Sequence, residues 1–236
     1  MPNEPFCQDL WIPNGVAFYG GSVYVATIDR ILRYDNAEQN KFPRAPSAQI
    51  AILPNHTWYV LARLASMLTL AALLLLRHGW RYLRVHKDQI YVAIGAPCNV
   101  PGDEWEQCLS DPIWGTIQIM NLDGSNQRAY ARGIRNTLGF TWHPQTDEMW
   151  FTDNGRDNMK PDHINHPPEE VNHAPVEGMH FGYPFCYGYN LNDPEFFNGT
   201  CNVRECSSLG SLYLSPCCVR GRFAGAAKVD DGVDGA

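Results

Sequence analysis

The 236-residue chain carries few positive charges, with 18 Lys and Arg against 25 Asp and Glu and a formal net charge of −7. Nucleic-acid-binding surfaces are basic, so this balance argues against a nucleic-acid partner. The charge balance is compatible with a small-molecule partner but does not identify one.

Two common signatures are missing. The eight cysteines do not form the paired C-x-x-C arrangement of a zinc site. The N-terminal stretch MPNEPFCQDLWIPNG lacks the basic and apolar regions of a signal peptide. We therefore expect either that the natural start precedes Met1 or that the chain as written is not secreted.

The cysteines instead lie in polar loops. Cys98 and Cys108 bracket one such loop, and N-x-T sequons begin at Asn55 and Asn198. A second group, of three cysteines, clusters around another loop: Cys186, Cys201 and Cys206. These features favour an extracellular or secreted glycoprotein with a Cys98–Cys108 disulfide.

Long apolar runs are absent except for one, YVLARLASMLTLAALLLLR at 59–77. From Tyr59 to Leu76 the only charge is Arg63, and the length just reaches that of a membrane-spanning helix. Apolar residues surround the predicted helix, so it has no amphipathic stripe. A membrane anchor and a segment foreign to the fold both remain open. Membrane localisation follows only if 59–76 is a genuine anchor.

The sequence pattern in the rest of the chain predicts recurring β-hairpins. Three strand patterns each follow a turn: Val23-Tyr24-Val25, Ile90-Tyr91-Val92 and Met149-Trp150-Phe151. An outer strand at 115–120 ends at the turn Asn121-Leu122-Asp123-Gly124-Ser125. Recurring units of this kind are typical of a β-propeller. We expect an all-β, partial propeller of about three blades with an apolar helical insert.

The predicted organisation has four parts. A first blade spans 10–58, the apolar insert 59–77, and further blades 78–206. The segment 207–236 is rich in small residues and has no hairpin pattern, so it is interpreted as a disordered or foreign tail.

Six motifs occur in order along the chain. They are HGW from His78, IGAPCN from Ile94, GIRNTLGF from Gly133, WFTDNGRD from Trp150, PPEEVN from Pro167 and HFGYPFC from His180. Together, between about Leu10 and Cys206, they resemble the glucose/sorbosone dehydrogenase family, particularly its L-sorbosone dehydrogenase-like branch. The resemblance implies a six-bladed β-propeller that oxidises a sugar or sugar-derived aldehyde with pyrroloquinoline quinone and calcium. In relatives the chain runs without a gap from ILP to HGW, which favours a gene-model artefact for 59–77.

The resemblance also implies roles for single residues. His78 matches the general base, and backbone carbonyls at Gly155 and Arg156 match calcium ligands. The residues that match cofactor contacts are Arg135, Asn136 and Asn154.

The chain departs from the family in three respects. Ala96 stands where the glucose-oxidising branch has an acidic residue, and Arg156 replaces a proline of that branch. Nothing after Cys206 matches the later blades, which supply further cofactor contacts.

The residues also permit plainer interpretations. Arg135 and Asn136 could form a structural bridge between blades, and Asp153 and Asp157 could simply close a turn. At the level of the whole chain, the alternatives to a dehydrogenase fragment are a non-catalytic propeller that binds carbohydrate or protein, and a single-pass membrane protein.

Overall fold

A computed structural model describes residues 10–39, 45–54, 78–99, 111–157, 169–188 and 191–194. This part of the chain is all-β and contains no helix. Its strands are β1 (Gly15–Tyr19), β2 (Ser22–Ala26), β3 (Arg30–Tyr34), β4 (Ala48–Ile52), β5 (Leu83–His86), β6 (Gln89–Ile94), β7 (Thr116–Asn121), β8 (Arg128–Arg132), β9 (Phe140–Trp142), β10 (Met149–Asp153), β11 (Glu170–Ala174), β12 (Met179–His180), β13 (Cys186–Tyr187) and β14 (Leu191–Asn192).

The predicted hairpins are confirmed. Gly20 and Gly21 connect β1 to β2 with φ angles of 56° and 78°. Lys87 and Asp88 connect β5 to β6 with φ angles of 46° and 59°. Positive φ at both central residues matches the right-handed twist of the flanking strands, so these turns set the hairpin registers.

The strands form three larger sheets and one short hairpin. The first sheet has the order β1-β2-β3-β4, the second β12-β8-β7-β6-β5, and the third β11-β10-β9. Neighbours pair antiparallel except β12 and β8, which run parallel. The predicted all-β, partial-propeller fold of about three blades is confirmed in this described part.

The second sheet is buried on both faces. Side chains alternate along β6: Ile90, Val92 and Ile94 pack with the first sheet, whereas Tyr91 and Ala93 pack with the third. Face-to-face packing of this kind stacks the sheets as successive blades, and it brings their corresponding strand ends to one side.

Several predictions fall on other parts of the chain. The insert at 59–77, the tail at 207–236 and both sequons lie outside the described residues, and the proposed domain boundaries stay predictions. Within the described ranges, no helix is long and apolar enough to cross a membrane.

A buried arginine joins the first and second sheets. The Arg81 guanidinium, with 0% of the residue exposed, donates to the carbonyls of Ile28 (3.2 Å), Pro54 (2.6 Å) and His78 (3.3 Å). Burial lowers its pKa to about 10, so it remains a cation at neutral pH. The carbonyls of Pro54 and His78 therefore lie close together around one guanidinium.

A buried carboxylate holds the connection between the second and third sheets. Asp153, at the end of β10, accepts the backbone N–H groups of Arg135 (3.1 Å) and Asn136 (2.8 Å). Burial, and then the nearby Glu170 carboxylate, raise its pKa to about 8. This acid fixes the backbone of the motif that follows β8.

Replacing Arg81 with Met should destabilise the protein by roughly 3 kcal/mol, because three buried carbonyls lose their donor. Urea unfolding of the full chain measures the change. Arg84→Met, at an exposed position on β5, is the matched control. Equal unfolding midpoints for the two variants would contradict a joining role for Arg81.

Asp153 should make stability depend on pH. Its folded pKa lies above its unfolded value, so its contribution is fully present below about pH 4 and is lost as pH rises towards 8. Asp153→Asn resembles the protonated acid. The stability of the wild type relative to this variant should therefore fall between pH 5 and pH 8 in urea titrations. A constant difference across this range would contradict a raised pKa of Asp153 in the folded protein.

Candidate functional site

The motif-bearing loops meet at one end of the stacked sheets. The register pairs Ile94 with Thr116 and Thr116 with Arg132, so the loops that follow β6 and β8 leave the second sheet on the same side. Asn154 follows β10 and donates its backbone N–H to the Asn136 carbonyl at 3.0 Å. The loop after the third sheet's β10 therefore joins the same group.

His78 occupies a constrained position in this group. Its φ of 56° lies in the left-handed region, which is uncommon for a residue with a side chain. Its ring Nδ1 lies 2.8 Å from the Ala96 carbonyl oxygen. A carbonyl only accepts hydrogen bonds, so Nδ1 carries the proton and the neutral ring has its lone pair on Nε2. This is the tautomer that a general base acting through Nε2 requires.

Gly95 brings His78 and Asn136 together. A Cβ added at Gly95 would lie 2.6 Å from the His78 Cβ and 3.1 Å from the Asn136 Oδ1. Asn136 is buried, and its Oδ1 has no hydrogen-bond partner among the described residues. A buried acceptor without a donor is uncommon in folded proteins and suggests a missing ligand group.

The Arg135 side chain is directed into the protein. It donates from Nη2 to Asn99 Oδ1 (2.5 Å) and Asp157 Oδ2 (3.0 Å), from Nη1 to the Asn154 carbonyl (2.9 Å), and from Nε to the Asn99 carbonyl (3.3 Å). These bonds join the loop after β6 to the loop after β10, as the bridging alternative expects. The role of Arg135 as a cofactor contact stays a prediction.

The predicted metal-binding carbonyls lie in the loop after β10. The Gly155 N–H donates to Glu169 Oε2 at 3.0 Å. The Arg156 guanidinium is buried, with its Nε 3.2 Å from Asp193 Oδ2, and Asp193 is only 1% exposed. Within the described residues, no group of three or more His, Cys, Asp or Glu side chains is arranged to hold a metal. Calcium binding by carbonyls is a different arrangement and remains a prediction.

The sequence did not assign a role to Asp193, nor to Tyr183 within the HFGYPFC motif. The Tyr183 hydroxyl donates to the Cys98 carbonyl at 3.2 Å, and its N–H donates to the Gly133 carbonyl at 2.9 Å. Tyr183 therefore ties the HFGYP loop to the IGAPCN and GIRNTLGF motifs. No local sequence signal predicts the contacts of Tyr183 or the contact between Asp193 and Arg156, because each of them joins segments that are distant in the chain.

Two cysteines near this group are in disulfides. Cys98 and Cys186 are each disulfide-bonded. The predicted partner of Cys98, Cys108, lies outside the described residues, so that particular pairing stays a prediction.

No family model matches the chain. A protein of Borreliella burgdorferi described only as uncharacterized is 26% identical over 215 residues, which cover 89% of this chain and 50% of that protein. The chain therefore spans about half the length of this curated relative.

Solved structures share the fold. The iodide structure of Trichoderma reesei carbohydrate-active enzyme family AA12 has a TM-score of 0.57 and 19% identity over 78% of this chain and 46% of that one. A calcium structure from the same family gives a TM-score of 0.54 with the same identity and coverage. The holo form of the pyranose dehydrogenase PQQ domain from Coprinopsis cinerea gives 0.53 and 17% identity, over 84% and 49% of the two chains. The predicted resemblance is thus confirmed at the level of fold, which this chain shares with the AA12 structures and the pyranose dehydrogenase PQQ domain.

Proposed function

We propose that this chain is part of a quinone-dependent dehydrogenase that oxidises a sugar or a sugar-derived aldehyde. The observation that carries the proposal is His78, which is held in the Nε2-base tautomer beside Asn136 Oδ1, a buried acceptor with no hydrogen-bond partner among the described residues. The pyranose dehydrogenase PQQ domain and the AA12 structures supply the comparison from which the reaction class comes. The chain spans about half of each, so catalysis by the complete protein is part of the proposal.

The residues present fit pyrroloquinoline quinone. The cofactor has a ring N–H that suits the open acceptor at Asn136, and quinone oxygens that suit an amide N–H₂. Asn136 and Asn154 would hold it, assisted by the one Arg135 N–H not used in the bonds described above. The quinone, when bound, would supply a two-electron acceptor for hydride. The Gly155 and Arg156 carbonyls are oxygen donors of the type that calcium prefers.

The base role of His78 follows from its hydrogen bond. Its Nε2 would take the proton of the substrate hydroxyl as the hydride leaves the adjacent carbon. The ring then carries protons on both nitrogens, and its Nδ1–H keeps the bond to the Ala96 carbonyl. The main chain thus orients the imidazole throughout the step.

We also propose an oxidising, extracellular or secreted setting for the natural protein. The disulfide bonds of Cys98 and Cys186 support it, because such bonds are rare in reducing compartments.

Replacing His78 with Gln should abolish most turnover while cofactor binding persists. Removing a general base typically costs about 100-fold or more in rate. The full chain would be titrated with pyrroloquinoline quinone and calcium by absorbance. Sugars and sugar aldehydes would then be assayed with an artificial electron acceptor.

His143→Gln is the matched control, because His143 lies in the exposed β9–β10 turn at the opposite end of the sheet. Equal turnover for His78→Gln and the wild type would overturn the base assignment. Quinone binding without turnover on any sugar or aldehyde would favour the non-catalytic propeller. Failure to bind quinone would overturn the cofactor proposal.

Replacing Gly95 with Ala should impair the same site without removing a polar group. The added methyl would lie 2.6 Å from the His78 Cβ, so the ring must move from the Ala96 carbonyl. Such overpacking costs about 1–3 kcal/mol of stability. Gly139→Ala is the control, since a Cβ there meets nothing within 4 Å. Turnover and thermal unfolding should both fall for Gly95→Ala only, and equal losses in both variants would contradict a positioning role.

A further inference from the structure

A second cleft lies beside the candidate site. It has a volume of about 310 Å³, at the lower end of the range for small-molecule sites. Tyr183 and Pro184 line it and also line the small cavity that contains Arg135, Arg156 and Asp193. The cleft is therefore separated from the loop after β10 by the Tyr183–Pro184 segment. None of the catalytic or cofactor roles proposed above uses it.

Its polar groups come from two paired strands. Arg132 on β8 and His180 on β12 are register partners, and both line the cleft. Arg132 is exposed, and its guanidinium has no hydrogen-bond or ion-pair partner in the part of the chain that the structure describes. An exposed, unpaired guanidinium beside a concave surface is well suited to bind a carboxylate through two parallel N–H bonds.

His180 supplies a neutral donor rather than a second cation. Burial, and secondarily Arg132, lower its pKa to about 4, so the ring is uncharged at neutral pH. Its Nδ1 accepts the Gly182 N–H at 3.2 Å, which places the ring proton on Nε2. The ring also packs against Gly133, where a Cβ would lie 2.3 Å from Cε1. This contact holds the donor in place at the cleft wall.

The remaining walls are aromatic, with an acceptor at one end. Trp114, Tyr183 and Phe185 line the cleft. Asp111 also lines it and uses Oδ1 to accept the Ile113 N–H at 3.0 Å, which leaves Oδ2 able to accept a hydroxyl. The cleft therefore combines a cation, a neutral donor, an acceptor and apolar ring surfaces.

We propose that this cleft binds an acidic monosaccharide, of the uronate class, with its carboxylate on Arg132. The sugar hydroxyls are bound by His180 Nε2–H and Asp111 Oδ2, and the apolar face of the ring lies against the aromatic walls. A simple carboxylate would leave the hydroxyl partners unused, and a neutral sugar would leave Arg132 unpaired. The proposal is independent of the quinone and of turnover.

The test is calorimetric titration of the full chain, without quinone, using D-glucuronate, methyl glucoside and acetate as probes. Glucuronate should bind saturably and at least tenfold more tightly than either of the others. Arg132→Gln should weaken glucuronate binding by about tenfold or more, since a hydrogen-bonded charge pair is lost. Arg128→Gln is the matched control, because Arg128 lies on the same strand but pairs with Glu177 at 2.6 Å. It should leave binding unchanged.

Each other outcome counts against the proposal. No saturable glucuronate binding by the folded wild type would overturn it, as would equal affinity of Arg132→Gln and the wild type. Equal affinity for methyl glucoside would remove the role of the carboxylate, and equal affinity for acetate would remove the role of the sugar ring. Because no quinone is present, these results are separate from the success or failure of the dehydrogenase proposal.

Discussion

The candidate site depends on a relay of hydrogen bonds that passes through the main chain. Asp153 accepts the Arg135 N–H, the Arg135 carbonyl accepts the Ala96 N–H at 2.8 Å, and the Ala96 carbonyl accepts from His78 Nδ1. Each of these three hydrogen bonds connects a different pair of segments. The orientation of one imidazole on the second sheet is thereby linked to a buried acid on the third. Loss of any one of these hydrogen bonds would leave a buried backbone group without its partner. Because buried backbone groups must find partners, the neighbouring loop would then shift.

Packing explains why these loops can meet at all. The second sheet has apolar side chains on both faces, so it is held between its two neighbours, and the strand ends are aligned by that contact. Arg81 adds polar contacts at the same end of the sheets. Its guanidinium donates to the carbonyls of Ile28, Pro54 and His78, which apolar packing alone would leave without donors. The stacking of the sheets therefore brings the residues of the site together. These residues lie close to one another only when the sheets are packed.

The parts of this fold that could be predicted from sequence are the local ones. Gly20-Gly21 and the alternation along β6 carry their own signals, since turn chemistry and a period of two act over a few residues. The family resemblance also singled out His78 and Asn136, which both lie against Gly95. The partners of Arg81, Arg156 and Tyr183 could not be predicted in this way. Each joins segments far apart in the chain, and side-chain type does not say which distant carbonyl or carboxylate the fold brings within reach.

The alanine at position 96 illustrates the difference between a side chain and the function that a position can serve. A carboxylate beside a histidine does two things: it selects the tautomer, and it stabilises the protonated ring. The Ala96 carbonyl does the first, at 2.8 Å from His78 Nδ1, without supplying a negative charge. The Ala96 methyl group is fully buried, so its size is set by packing. A change at position 96 that kept the backbone in place would therefore leave the orientation of His78 intact. A change at Gly95 or Asp153 would disturb that orientation without altering a residue that touches the ring nitrogens.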